Sequence, residues 1–112
     1  MDPWYSLGSA DMLEAASMGL HVGQMTGVEE MKSCFLAVTE FPAKIMGLEG
    51  YGLEIGCKAD IVILQATDTI EALRLKPNRL FVIRSGKIIA HSQPVQSELE
   101  LPGRPKLINF LK

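Results

Sequence analysis

The chain has 112 residues and a mass of 12.3 kDa, with 47% apolar, 21% charged and 6% aromatic residues. That is globular composition, and it excludes a collagen-like or low-complexity chain. The formal charge of −2 comes from 11 basic and 13 acidic residues scattered along the sequence, with no Lys/Arg-rich face for nucleic acid.

The length suffices for one core, but a complete (β/α)₈ barrel needs about 250 residues. The longest apolar runs, Ile61 to Leu64 and Leu80 to Ile83, fall far short of the ~20 residues of a membrane span. Met1-Asp2-Pro3-Trp4 lacks the positive charge and apolar stretch that open a secretory signal. These features predict a cytoplasmic protein that engages neither membrane nor nucleic acid. Cys34 and Cys57, with no CxxC spacing, are expected to be reduced, packed thiols.

In chain order, the first feature is Asp2-Pro3-Trp4-Tyr5-Ser6-Leu7-Gly8, which holds the sole tryptophan. A rigid proline beside two aromatics, directly before a helix, suits either a functional loop or an N-terminal clamp on the core. Met12, Leu13, Ala16 and Leu20 then recur at helical spacing over Ser9 to Val22. Ser9 is the expected N-cap and Gly23 the stop. Thr26-Gly27-Val28-Glu29 fits a capping box, and Val28, Met31, Phe35 and Val38 form the stripe of the helix behind it. Pro42 suits the first position of a short third helix, where its missing N–H costs nothing, and Gly47 ends it.

Gly50, Gly52 and Gly56 predict turns with a short extended piece at Leu53 to Ile55. Ala59 to Leu64 is β-prone and apolar, as in a strand buried on both faces. Asp68-Thr69-Ile70-Glu71 is a second capping-box pattern, opening a helix that Pro77 ends. Arg79 to Arg84 and Lys87 to His91 predict two strands joined at Ser85-Gly86. Ser97 to Leu101 alternates like an edge strand until Pro102, Gly103 and Pro105 break it, and Leu107 to Lys112 is a weak amphipathic tail.

Catalytic constellations are hard to find in these residues. His21 and His91 stand far apart, with no HxH, HExxH or His/Cys cluster, whereas a catalytic zinc usually needs three protein ligands. His21 reads as a helix-face histidine and His91 as a surface residue at a strand end. The glycines between 47 and 56 do not match a phosphate loop, and there is no Gly-x-Ser-x-Gly elbow. Glu29-Glu30 suits the start of a helix, and the six methionines fall mainly on helix stripes.

The Asp2 to Gly8 block, with Met12-Leu13 and Met18-Gly19-Leu20-His21-Val22 behind it, resembles the C-terminal portion of bacterial cytosine deaminases. A broader amidohydrolase signature follows in Pro42 to Leu48, Tyr51 to Leu64 and the hairpin Val82 to Ala90. In that family a metal-binding barrel is joined to a small β-sandwich made from both chain ends. A divalent metal, zinc or iron, activates a water for attack on the ring carbon bearing the amino group, and a carboxylate shuttles the proton. The resemblance places the metal ligands and the proton shuttle upstream of Met1. It therefore implies no catalytic residue, no metal ligand and no cofactor in this chain. Asp2 belongs to the Asp-Pro-Trp-Tyr motif and is not the family's metal Asp. The one role that carries over is Trp4, whose family counterpart lines the substrate pocket. Phe41 departs from the pattern, because many relatives hold a small or polar helix cap there. Met1 falls where relatives have an internal residue, as in an internally initiated, proteolysed or truncated product.

The expected fold is α+β. Residues 1–48 would be helices left from the last part of a TIM-type barrel, and residues 49–112 the C-terminal part of the small β-sandwich. The expected function is that of an inactive C-terminal fragment of a cytosine deaminase-like hydrolase acting on the C–N bonds of a cyclic amidine or nucleobase. A standalone binding or oligomerisation module, or a fragment of a triazine or cyclic-amide hydrolase, are the alternatives. Helices shaped to pack on a barrel would expose apolar faces without it, which predicts a homo-oligomer.

Overall fold

The computed structural model describes residues 8–107. The elements run α1 (Met12–Val22), α2 (Val28–Leu36), α3 (Glu40–Ile45), β1 (Ile61–Leu64), α4 (Thr69–Leu75), β2 (Arg79–Arg84) and β3 (Lys87–His91). The molecule is α+β, as expected: helices beside a three-stranded antiparallel sheet of order β1-β2-β3.

Each helix start shows which local group wins the orphan amides. Asp11, not Ser9, caps α1, and its carboxylate accepts the Leu13 N–H at 2.9 Å. Ser9 instead donates its hydroxyl and its N–H to Glu14. At α2 the box is displaced by one residue. Gly27 is the N-cap, and the Glu30 carboxylate accepts its N–H at 2.8 Å. Glu29 is left to pair with Lys32 at 2.8 Å. α3 begins at Glu40, so Pro42 is its third residue and still lies where no N–H is required. No side chain caps α3, because the Thr39 hydroxyl donates back to the Phe35 carbonyl at 2.9 Å.

The ends follow the expected turn chemistry more closely. Gly47 takes a positive φ of 61° after α3, the Gly47 N–H bonds Lys44 O, and the Leu48 N–H reaches back to Ala43 O at 2.9 Å. These are the two bonds of a Schellman ending. At α4 the Asp68 carboxylate accepts the Glu71 N–H at 2.8 Å, while Glu71 reaches past the cap to the N–H and hydroxyl of Thr67. The β2–β3 hairpin turns on Ser85 and Gly86, both at positive φ, which is the type I′ geometry that suits strand twist.

Three expectations about the β half are corrected. Residues 53–55 form bends and a turn, not an extended piece. Residues 97–101 form no strand; the Leu99 N–H bonds the Lys106 carbonyl instead. β1 is not covered on both faces, since Val62 is 50% and Ile63 42% exposed. It pairs only with β2, and among the described residues no further strand lies outside it.

The core is small. Leu13 and Ala16 of α1 meet Leu73 of α4, and Leu20, Met31, Cys34, Phe35, Val38 and Leu64 pack around them. Met31, Phe35 and Val38 of the α2 stripe thus reach the core, while Val28 stays exposed. Beyond Leu13, Ala16 and Leu73, the buried residues among those described are Ala43, Ala72 and Ser17.

Candidate functional site

A groove of about 820 Å³ lies between the α2–α3 corner and β1. Phe35 and Leu36 come from the end of α2, and Ala43 from α3. Tyr51 and Leu53 come from the loop after α3, and Val62 from β1. The Schellman ending of α3 turns the chain so that residues 48–53 form the outer wall. A bond from the Lys58 N–H to Gly50 O at 2.7 Å closes the following loop.

Several polar groups on the groove are already engaged. Lys44 pairs with Glu40 at 2.6 Å. The Asp60 carboxylate accepts the Ser85 N–H at 2.6 Å, which ties the hairpin tip to the start of β1. Such a surface can bind an apolar group. It presents no nucleophile held against a base, the arrangement that covalent catalysis requires.

The titratable groups with perturbed acidity lie elsewhere. The Arg79 guanidinium bonded to Asp11 holds that carboxyl below its ordinary value, with help from the Leu13 N–H and against partial burial. The hydroxyl and N–H of Ser9 do the same for Glu14, and those of Thr67 for Glu71. All three groups stabilise helix starts and belong to the architecture.

Amidohydrolases use a divalent metal, and the residues described here do not fit one. His21 lies in the last turn of α1 and His91 ends β3, both exposed. No three of His, Cys, Asp and Glu gather among the described residues. Cys34 and Cys57 are free thiols, and the Cys34 Sγ–H donates to Ala16 O at 3.3 Å. Trp4, the expected substrate contact, lies outside the described residues. No helix among the described residues is long and apolar enough to cross a membrane.

The groove itself was not anticipated from the sequence. Its signal is faint: Leu48, Tyr51 and Leu53 are apolar residues set among glycines that otherwise read as plain turns.

Comparison with known proteins agrees with the fold. Residues 1–96 match the model of the Amidohydrolase family, and the chain belongs to that family. It is 28% identical over 95 residues to N-isopropylammelide isopropyl amidohydrolase of Pseudomonas sp. (strain ADP), covering 84% of this chain and 24% of that protein. It is 29% identical over 100 residues to pterin deaminase of Rhizobium rhizogenes, covering 88% and 22%. Its structure is similar to 5-methylcytosine deaminase from Klebsiella pneumoniae liganded with 5-fluorocytosine, with a TM-score of 0.79 and 34% identity, covering 92% of this chain and 25% of that one. N-isopropylammelide isopropylaminohydrolase from Burkholderia multivorans gives a TM-score of 0.75 at 34% identity, covering 80% and 23%. The chain therefore spans about a quarter of the length of the relatives it matches.

Proposed function

We propose that the chain serves as the C-terminal portion of a cytosine deaminase-like, metal-dependent hydrolase, and that alone it turns nothing over. The substrate class is a cyclic amidine or nucleobase whose exocyclic C–N bond is hydrolysed. The supporting observation is the likeness to 5-methylcytosine deaminase at 34% identity over 92% of this chain. In this reading α1, α2 and α3 close the end of a barrel, and residues 49–112 supply part of a small sandwich. Trp4 contacts the substrate. The metal and the proton shuttle come from outside these residues, and the protein works in the cytoplasm.

The chain's own part is to position and to shield. α1 begins at Met12, four positions after Gly8, so in this reading its anchoring holds the chain just behind the Asp2 to Gly8 motif. A group that merely excludes water or orients a ring still lowers a barrier, because misplacement is costly in rate.

A chimera tests the reading. This chain replaces the matching quarter of the Klebsiella enzyme, and ammonia release from 5-methylcytosine and cytosine is followed with and without added Zn²⁺ or Fe²⁺. Metal-dependent release is expected from the chimera and none from the isolated chain. Trp4→Ala in the chimera should raise KM more than it lowers kcat. A folded chimera that releases neither ammonia nor an alkylamine from any cyclic amine tested would sink the proposal. Isopropylamine released from N-isopropylammelide faster than ammonia from cytosine would favour the triazine reading, which the Pseudomonas and Burkholderia relatives support.

A further inference from the structure

The entry to α1 carries more restraints than a helix start needs. The Asp11 carboxylate accepts the Leu13 N–H, and the Asp11 carbonyl accepts the Ala15 N–H at 3.0 Å. Those are the bonds an N-cap makes. Two further ties act on the same few residues. Ser9 donates its hydroxyl and, at 3.1 Å, its N–H to the Glu14 carboxylate. Arg79 donates to the Asp11 carboxylate from 68 positions away. Between Ser9 and Asp11, Ala10 holds a φ of 57°, a left-handed conformation that is costly for a residue with a Cβ. Strain of this kind persists only where the surroundings over-determine it, and it collects at functional sites.

Arg79 is mounted rigidly enough to hold such a segment. Its Cα pairs with Leu64 in the β1–β2 register. On either side of it, the Gln65 N–H bonds Asn78 O at 3.1 Å and the Ser92 N–H bonds Leu80 O at 3.0 Å. The guanidinium thus reaches Asp11 from a fixed backbone, and a contact set on a sheet is placed more precisely than one set on a loop. Through it, β2 controls the residues by which the Asp2 to Gly8 motif joins α1.

We propose that Arg79 is a positioning residue: through Asp11 it fixes the strained 9–11 segment and so holds the Asp2 to Gly8 motif where Trp4 meets substrate. This rests on the hydrolase reading, in which Trp4 contacts the ring. The chimera described above tests it by steady-state kinetics on its best substrate, with urea midpoints to follow folding. Arg79→Met should raise KM roughly tenfold, the order of one lost aromatic contact, and leave kcat within about twofold. In a Trp4→Ala chimera the same substitution should move KM by less than about twofold, because the contact it positions is gone. Arg79→Lys keeps a cation for Asp11 and should recover most of the loss. A purely structural tie would instead lower kcat through fewer active molecules and leave KM in place. That result overturns the proposal, as does a KM rise of equal size with and without Trp4. Asp11→Asn keeps an acceptor for the Leu13 N–H but loses the charge that faces Arg79. It should raise KM in the same direction, and it carries the test if Arg79→Met does not fold; a KM it leaves unmoved overturns the proposal. A chimera inactive before any of these substitutions removes the hydrolase reading and this proposal with it, whereas an active chimera whose KM ignores Arg79 overturns this proposal alone.

Discussion

Arg79, the first residue of β2, donates through its guanidinium to the Asp11 carboxylate that caps α1. One carboxylate thereby caps the start of a helix and ties it to the sheet. Asp11→Ala removes both functions and should cost about 1–2 kcal/mol, the usual range for losing an N-cap. Arg79→Met removes only the tie, and its partial exposure limits the loss to about 0.5–1 kcal/mol. Urea midpoints at fixed protein concentration measure both, and the double variant should cost less than the two added together. Additive losses would mean the pair is not coupled.

The same pair predicts a response to acid. The folded Asp11 carboxyl ionises more readily than an ordinary one, as do Glu14 and Glu71. A depressed folded value gives stability that is complete at neutral pH and is lost as pH falls through that value. The urea midpoint should therefore hold from neutrality down to about pH 5 and decline below the ordinary carboxylate range of about 4. Asp11→Asn should flatten the decline. A midpoint that rises on acidification would contradict the assignment.

Leu73 is the residue that closes the core, with 1% of its surface exposed. Leu73→Ala should cost about 2–5 kcal/mol through lost burial and the cavity left behind. In so small a core that loss should abolish cooperative unfolding. A sharp transition retained in the variant would show that other contacts carry the fold.

Ser85 holds a positive φ of 48° beside Gly86. Asparagine tolerates that region better than serine, and Asn-Gly is the favoured pair for this turn. Ser85→Asn should stabilise by on the order of 0.5 kcal/mol, read as a higher urea midpoint. The bond from its backbone N–H to Asp60 does not depend on the side chain. A lower midpoint would mean the serine hydroxyl matters in a way this geometry does not show.

Gln65 uses its side-chain amide as a strand would use its backbone. Its carboxamide donates to Val95 O at 2.6 Å and accepts the Val95 N–H at 2.9 Å. Gln65→Ala should raise hydrogen exchange at Val95 while leaving β2 protected. Glu in its place keeps only the acceptor and should restore part of the protection.

Where a local rule has one claimant, the sequence was a good guide. Asp68 before α4, Gly47 after α3 and Ser85-Gly86 in the hairpin all act as their types suggest. Where two candidates sit side by side, spacing could not choose. Ser9 and Asp11 are both capping residues, and Glu29 and Glu30 are adjacent carboxylates. The choice fell to Asp11 because Arg79 holds it in place, a contact from 68 positions away. β1 was misjudged because an apolar run looks the same in a central strand and an edge strand. The groove was illegible because Phe35, Tyr51 and Val62 meet only after folding. The family resemblance rested on motifs, and its central residue, Trp4, lies outside the described residues.

The placement of Leu73 also has a consequence for biosynthesis. Leu13 and Ala16 leave the ribosome long before the segment that covers them. Until α4 emerges, α2 alone can shelter that oily face, and the part Leu73 would cover is where a chaperone can hold the nascent chain.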